Sequence, residues 1–205
     1  MAQIGRPRTF DRQQAIEQAM LLFWQNGYES TSLSQLKAAI GGGISAPSFY
    51  AAFGSKEALF QEAVQCYLDS HARVTECLWD SELPARSAVE LALRRSARMQ
   101  FSADHPAGCM VSLGVMSAPT AENNRVTRQL SASRARTGAG FVACVERAVA
   151  AGELPAGTSV QGVAMVFNSF LQGLSIQARD GQRLAVCEQA IDEIMRVWDS
   201  LAVQQ

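Results

Sequence analysis

Near the middle of the chain, His105 and Cys109 lie four residues apart, and both side chains are capable of chemistry. An imidazole and a thiol at this spacing could form a catalytic dyad or contribute to a metal site. The chain has 2 histidines, and it contains neither a CxxC pair nor an HExxH motif that would complete such a site. We therefore expect no catalytic residues, no metal site and no cofactor, and we expect that the protein is not an enzyme.

The five cysteines also bear on the compartment. Their number is odd and their spacing shows no pairing, which indicates reduced thiols in a cytoplasm rather than a disulfide framework. The first residues lack the apolar core of a signal peptide. The longest uncharged run, residues 154–178, contains too many amide side chains to span a bilayer. A cytoplasmic protein without a membrane segment is the expectation.

A second group of polar side chains suits hydrogen bonding to a polyanion. Residues 43–56, "GISAPSFYAAFGSK", predict a short helix with a proline in its first turn. Phe49 and Phe53, at positions i and i+4, can both face the core. The outward face is then formed by Ser45, Ala46, Ser48 and Tyr50. Such a helix can enter a DNA major groove, and Lys56 just beyond it can bind a phosphate.

Periodicity alone leaves another interpretation open for this segment, an ordinary helical hairpin with a buried Phe-Tyr pair. Upstream, Arg6 and Arg8 in "GRPR" could enter a narrow, electronegative minor groove. A solvated arm that becomes ordered only on DNA is the alternative for these arginines.

These side chains must be positioned by helices, since nearly every segment has the apolar spacing of an α-helix. The predicted N-caps are Asp11, Thr31 or Ser32, Ser45 and Ser55, and the predicted stops are Gly27, residues 41–43 and Gly54. Further helices are predicted over residues 86–102, 106–117, 122–151, 159–178 and 184–203. Because no run of alternating β-branched residues occurs, the predicted fold is all-α.

The stretch "FDRQQAIEQAMLLFWQNGYESTSLSQL", followed by "ISAPSFYAAFGSKEALF", resembles the N-terminal signature of the TetR/AcrR family of transcriptional repressors. The resemblance covers residues 10–65. It implies DNA contacts from Thr31 and Ser32 at the start of the second helix, from residues 45–50, and from Lys56. The sequence departs from the family pattern in two places. The turn "IGGGIS" is longer than usual, and Pro47 stands where a small or basic residue is common.

Residues 154–178 carry no charge, and a helix that is uncharged on all sides is buried on all sides. In a chain of this size the second burying surface can be another subunit, and the resemblance implies a four-helix interface formed with the last helix. The predicted dimer contacts are Gly162, Val166, Ser169, Gly173, Ile191, Ile194 and Trp198. The alternative is a central core helix of a monomer.

The resemblance also implies an effector pocket among the helices after the fourth. The candidate lining residues are Phe101, His105, Cys109, Leu113, Met116, Phe167 and Phe170. Relatives that sense electrophiles have a cysteine at a similar step, so Cys109 is a candidate thiol sensor. A buried structural cysteine in the pocket wall is the alternative.

Together these features predict an all-α protein with two parts. Residues 1–55 are expected to form a three-helix, helix-turn-helix DNA-binding domain, and residues 56–205 an effector-binding and dimerisation domain. The expected function is a homodimeric regulator, a repressor that an unidentified small molecule releases from double-stranded operator DNA. The alternatives are a redox- or electrophile-sensing repressor switched through Cys109, or a ligand-independent DNA-binding or scaffolding factor.

Overall fold

Residues 11–114 and 126–202 are described by the structure, a computed structural model. Within these ranges the chain forms nine α-helices and two 3₁₀ segments, and none of these residues lies in a β-strand. The helices are α1 (Arg12–Asn26), α2 (Leu33–Ala39), α3 (Ala46–Phe53), α4 (Lys56–Asp69), α5 (Ala85–Gln100), α6 (Met110–Gly114), α7 (Arg128–Ala150), α8 (Val160–Arg179) and α9 (Leu184–Leu201). The 3₁₀ segments are Ile40–Gly42 and His71–Trp79. The predicted all-α fold is confirmed.

Each of the first four helices begins at a side chain that accepts a hydrogen bond from the first turn. The Gln14 N–H donates to Asp11 Oδ1 over 3.0 Å at the start of α1. Ser32 and Gln35 bond reciprocally at the start of α2, which forms a capping box. Ser45 and Ser55 cap α3 and α4 in the predicted way. These caps satisfy backbone donors that a helix cannot satisfy by itself.

The turn between α2 and α3 depends on three consecutive glycines. Residues 41, 42 and 43 have φ values of 58°, 75° and 112°, a region that L side chains rarely adopt. The Ile44 N–H donates to the Lys37 carbonyl over 2.9 Å and closes the turn. The Gly41 N–H donates to the Gln18 side chain over 2.9 Å, so the turn is also tied to α1.

One apolar cluster joins the first four helices to α6 and the start of α7. From α4 it receives Leu59, Phe60, Ala63, Val64 and Tyr67. From the later part of the chain it receives Met110, Val111, Val126 and Leu130. Although α4 begins after the predicted boundary at residue 55, it therefore buries its apolar face together with α1–α3. The predicted boundary assigned α4 to the second domain, whereas its buried side chains pack with the first.

A second cluster, the C-terminal core, is built by α5, α7, α8 and α9 with the end of the longer 3₁₀ segment. Its largest buried side chains are Leu78, Leu93, Phe141, Phe167, Ile191 and Trp198. The Phe167 and Trp198 rings lie 5.8 Å apart and join α8 to α9. This core holds α8 in place, with one face inward and one outward.

The helix predicted over residues 106–117 is much shorter than expected, because only Met110–Gly114 is helical among its described residues. Gly108 has a φ of 82°, and its N–H donates to the Gln100 carbonyl over 2.9 Å, which forms a turn in place of a helix. The 3₁₀ segment His71–Trp79 was not predicted. Residues 115–125, which include parts of two predicted helices, lie outside the described residues.

Candidate nucleic-acid interface

The helix α3 is attached to the N-terminal cluster by two aromatic side chains. Phe49 and Phe53 are buried, with ring centroids 5.5 Å apart, as the i, i+4 spacing predicts. The opposite face carries Ser45, Pro47, Ser48 and Tyr50, which are exposed, and Ala46, which is half-buried. The predicted recognition face is therefore accessible.

The polar atoms on this face are partly ordered before any partner arrives. The Ser45 hydroxyl accepts the Ser48 N–H over 3.2 Å, and the two hydroxyl oxygens lie 2.8 Å apart. The Tyr50 ring meets Phe49 edge-on, with centroids 5.6 Å apart, while 52% of Tyr50 remains exposed. A buried ring thus supports the outward tyrosine.

Thr31 differs from the prediction. Its side chain is fully buried, and its hydroxyl donates to the Gly27 carbonyl over 2.6 Å. It therefore joins the end of α1 to the start of α2 and does not face a duplex. The neighbouring Ser32 is exposed at the N-terminus of α2, where free backbone N–H groups favour an anion.

Lys56 is half-buried and lies over an aromatic ring. Its Nζ is 4.4 Å from the centroid of the Tyr28 ring, which is close enough for a cation–π interaction. Tyr28 in turn stacks on Phe23 at 6.2 Å and meets Phe60 edge-on at 4.9 Å. Burial lowers the pKa of Lys56, and the nearby Glu29 carboxylate acts in the opposite direction. Sequence reasoning missed this support for Lys56.

Arg6 and Arg8 lie outside the described residues. The accessible set on the described part of the interface is therefore residues 45–50 except Phe49, together with Ser32 and Lys56. A capped short helix, a glycine turn and a second short helix with an exposed polar face define a helix-turn-helix protein, the class that inserts the second short helix into DNA.

Comparison with known proteins identifies the family. The sequence pattern of the TetR family of bacterial regulatory proteins matches residues 15–63. The chain is 36% identical over 200 residues to the HTH-type transcriptional repressor ComR of Escherichia coli K12, covering 96% of this chain and 93% of ComR. It is 35% identical over 113 residues to the HTH-type transcriptional repressor BdcR of the same strain, covering 55% of this chain and 56% of BdcR.

A solved structure is similar over nearly the whole fold. It contains a cysteine mutant of the TetR family transcriptional regulator CifR, complexed with 26-bp double-strand operator DNA. Its identity to this chain is 38% and its TM-score is 0.84, with 94% of this chain and 100% of that chain covered. The chain therefore belongs to the TetR family of bacterial regulatory proteins, and it is a DNA-binding transcriptional regulator.

The predicted effector residues do not line one common pocket. His105 stacks on Trp24 at 4.3 Å and lines an open groove between α1 and α4. Leu113 lines a different pocket of about 260 Å³ beside Arg179. Phe167 is buried in the C-terminal core, Phe101 and Phe170 pack against that core, and Met116 lies outside the described residues.

Cys109 lines a third space, the Cys109 cavity, which has a volume of about 40 Å³. The Tyr67 hydroxyl donates to Cys109 Sγ over 3.2 Å. Burial raises the pKa of Tyr67 well above its ordinary value, so Tyr67 remains a protonated donor. The prediction coupled Cys109 to His105, whereas the structure couples it to a tyrosine of α4.

All five cysteines are free thiols, as predicted. Among residues 11–114 and 126–202, no group of three or more His, Cys, Asp and Glu side chains is placed to hold a metal ion. None of the described helices is long and apolar enough to cross a membrane.

One face of α8 is apolar and exposed. Met165, Val166 and Ile176 are 62%, 41% and 56% exposed. Of the predicted dimer contacts, Gly162, Val166 and Ser169 are exposed on this helix, and Gly173 is half-exposed. We call the exposed side of residues 162–176 the α8 outer face.

The predicted dimer contacts on α9 are different. Ile191 and Trp198 are buried in the C-terminal core of their own chain, and Ile194 packs against that core. Their helical spacing reflects packing against α5 and α8 within one subunit, so these two buried side chains are not available to a partner. An apolar residue of α9 that remains exposed is Val197, at 38%.

Proposed function

We propose that the protein is a homodimeric repressor that binds operator DNA through α3 and is released by a small-molecule effector. The observation that carries the proposal is the exposed polar face of α3, mounted on buried Phe49 and Phe53. The repressor names of ComR and BdcR and the operator DNA bound to CifR support it.

In this proposal, different residues contact the base edges, the phosphates and the minor groove of the DNA. Ser45, Ala46, Pro47, Ser48 and Tyr50 face base edges and the adjacent sugar-phosphate backbone, because the N-terminal residues of a recognition helix approach the groove most closely. Ser32 and Lys56 bind phosphates, which positions the helix without selecting a sequence. Arg6 and Arg8 reach the adjacent minor groove. Residues 1–55 form the DNA-binding part, with α4 as the link to the rest.

The α8 outer face supplies the dimer contact. Exposed apolar side chains on a helix that carries no charge before Arg179 favour association with a second copy, since burying them removes apolar area from water. Two-fold symmetry then presents two copies of α3 about one helical turn of DNA apart, roughly 34–36 Å. The protein would act in the cytoplasm, where bacterial DNA is located.

The effector releases the protein from DNA by shifting the population of dimers between two separations of the α3 helices. An effector that prefers a different separation of the two α3 helices lowers DNA affinity by the coupling free energy, typically about 1–3 kcal/mol. Arg179, at the end of α8, connects the C-terminal core to the DNA-binding helices. The Tyr67 hydroxyl of α4 reaches Met99 Sδ on α5 over 3.9 Å.

The test is a binding titration with a labelled duplex from the region upstream of the protein's own gene. The wild type should bind this duplex more tightly than a scrambled duplex of equal length, and Tyr50→Ala should weaken binding to both duplexes. Equal affinity for both duplexes and for single strands would refute operator recognition.

A second candidate function, thiol sensing, is supported by the Tyr67 hydrogen bond to Cys109. The thiolate is the reactive form of a cysteine. Hydrogen peroxide would convert this thiol to a sulfenic acid with release of water. Peroxide should then weaken operator binding by the wild type, whereas Cys109→Ser should bind DNA normally and ignore the oxidant. A peroxide response that persists in Cys109→Ser would exclude this candidate.

A further inference from the structure

The N-terminal end of α3 follows a turn that has little packing of its own. Gly41, Gly42 and Gly43 all have positive φ, and glycine has more backbone freedom than any other residue. In the described structure, a Cβ added at Gly42 or Gly43 would meet no atom within 4 Å beyond the chain neighbours. Side-chain packing therefore does not fix the backbone at these two positions.

The other end of α3 is held by packing and by charge. Phe53, the last residue of α3, is buried, and the Arg12 guanidinium of α1 lies 5.4 Å from the centroid of its ring. The same guanidinium donates to the Glu62 carboxylate of α4 over 2.7 Å. These contacts join α1, α3 and α4 at the C-terminal end of α3. A change in the glycine turn would therefore move the N-terminal end of α3 more than the C-terminal end.

One side chain of α1 holds the turn by a hydrogen bond. The Gly41 N–H donates to Gln18 Oε1 over 2.9 Å, and Gln18 is half-buried on α1. The Ile44 N–H donates to the Lys37 carbonyl, which closes the turn onto α2 and gives it a shape. The bond from Gly41 differs, because it fixes where the turn lies relative to α1.

We propose that Gln18 is a positioning residue for operator recognition. By accepting the Gly41 N–H, its side-chain oxygen sets the direction in which Ser45 and Ser48 are presented to the DNA. Gln18 itself needs no contact with the duplex for this role. The inference rests on the proposed function, because it requires α3 to be the helix that reads the operator.

The size of the effect follows from the number of backbone states open to the turn. Without the bond, only a fraction of the molecules would hold α3 correctly, and the apparent operator affinity would fall by that fraction. A hydrogen bond of ordinary strength corresponds to roughly a two- to tenfold change in an equilibrium constant. In a dimer that binds through two α3 helices the two losses multiply. Binding to unrelated DNA depends mainly on phosphate contacts and should change less.

Three substitutions at Gln18 test the role of its oxygen. Gln18→Met keeps the length of the side chain and removes the acceptor, and Gln18→Ser is too short to reach the turn. Gln18→Glu keeps an acceptor. Gln25→Met is the matched control, since it makes the same change at an exposed position of α1.

The measurement is fluorescence anisotropy with the operator duplex and with a scrambled duplex, and the quantity compared is the ratio of the two affinities. Gln18→Met and Gln18→Ser should each lower this ratio by about fivefold or more. Gln18→Glu should restore the wild-type ratio, although its charge should weaken binding to both duplexes equally. The control Gln25→Met should keep the wild-type ratio.

Hydrogen exchange of the Gly41 amide, followed by NMR of the ¹⁵N-labelled full-length protein, tests the bond without DNA. This amide should exchange slowly in the wild type and in Gln18→Glu, and faster in Gln18→Met and Gln18→Ser. Gln25→Met should leave the exchange unchanged.

Four results would overturn the inference. They are a wild-type affinity ratio in Gln18→Met and Gln18→Ser, an equal loss on both duplexes in these variants, failure of Gln18→Glu to restore the ratio, and Gly41 exchange that ignores all three substitutions. Failure of the proposed function would be distinct, because the wild type itself would then show no preference for the operator, while Gly41 exchange would still report on the bond.

Discussion

The Arg179 guanidinium, at the last residue of α8, donates hydrogen bonds to the carbonyl oxygens of Trp24 and Gln25 over 2.6 Å and 3.1 Å. These carbonyls belong to the last turn of α1, where the helix leaves its acceptors unsatisfied and its dipole is negative. A cation from the helix that carries the α8 outer face therefore holds the end of the first DNA-binding helix. This contact connects the proposed dimer surface to the proposed recognition unit.

Arg179→Ala should destabilise the protein by about 1–3 kcal/mol, because it removes two charge-assisted hydrogen bonds to a helix end. Arg196→Ala is the matched control, since Arg196 is largely exposed and pairs only at the surface with Glu193. The loss of unfolding free energy in Arg196→Ala should be within about 1 kcal/mol. Urea unfolding followed by circular dichroism measures both. An equal loss in the two variants would show that the link to α1 contributes little.

Lys56→Ala should weaken binding to every duplex and lower the slope of log affinity against log salt by about one. The reason is that a phosphate contact releases one counterion and carries no sequence information. Fluorescence anisotropy at several salt concentrations measures the slope. If the variant changed only which sequence is preferred, the assignment of Lys56 to a phosphate would be wrong.

Tyr28 is expected to act through Lys56, since its ring lies 4.4 Å from the ammonium. Tyr28→Leu should reduce operator affinity in the same sequence-independent way, whereas Tyr28→Phe keeps the ring face and should restore binding. The comparison uses the salt titration described for Lys56. A normal affinity in folded Tyr28→Leu would remove Tyr28 from this role.

The neighbours Phe49 and Tyr50 should separate stability from binding. Phe49 is fully buried, so Phe49→Ala should cost about 3–5 kcal/mol of unfolding free energy. Tyr50 is half exposed, so Tyr50→Ala should change stability by no more than about 0.5 kcal/mol. It should nonetheless reduce operator affinity at least about tenfold, because a hydrogen bond to a charged phosphate contributes about 1.5–3 kcal/mol. Operator affinity that is unchanged in Tyr50→Ala would place the interface elsewhere.

Met165→Glu introduces a charge on the α8 outer face, at its most exposed apolar residue. We expect the variant to be monomeric by light scattering, since an unpaired carboxylate is costly to bury in an interface. Operator affinity should fall by about 100-fold or more, because two linked recognition helices bind far more tightly than one. Ser87→Glu on the exposed side of α5 should remain dimeric. A dimeric Met165→Glu would move the interface away from α8.

His71 predicts a pH dependence of stability. Its pKa is lowered from 6.5 by burial, with a further contribution from His105, whose ring lies 4.9 Å away. Its ring also stacks on Tyr67, meets Trp24 edge-on, and has Nδ1 3.0 Å from the Ser70 hydroxyl. Folding therefore disfavours the protonated form, so this stability is complete above the ordinary pKa and is lost as the pH falls below it.

His71→Phe keeps an aromatic ring and removes the titration. Between about pH 7.5 and about pH 5.5, urea midpoints should fall more for the wild type than for His71→Phe. Parallel loss in both proteins would assign the pH dependence to other groups.

Local chemistry made much of the DNA-binding part predictable. Asp11, Ser32, Ser45 and Ser55 each precede a helix that they cap, and a cap acts within three residues of its own position. Phe49 and Phe53 face inward because the helical period places them on one side. The three glycines indicated a special turn, and residues 41–43 adopt positive φ throughout. Each of these features depends on interactions between near neighbours in the chain.

The features that were wrong or missed depend on long-range packing. Thr31 has the type and position of a DNA contact, but a carbonyl of α1 takes its hydroxyl. Ile191 and Trp198 have the spacing of an interface, but the chain's own core covers them. A periodic apolar stripe shows that one face is buried and does not show whether the covering surface belongs to the same subunit.

By itself, therefore, the sequence determined the all-α fold, the caps of the first four helices, the exposed face of α3 and the family. Only the tertiary structure decided that Arg179 reaches the end of α1, that Lys56 lies over Tyr28, and that the Tyr67 hydroxyl meets Cys109. The physical reason is the distance along the chain over which each kind of interaction acts. Caps and periodicity act over a few residues, whereas these contacts join side chains that are 28 to 155 positions apart and meet only after the helices have packed.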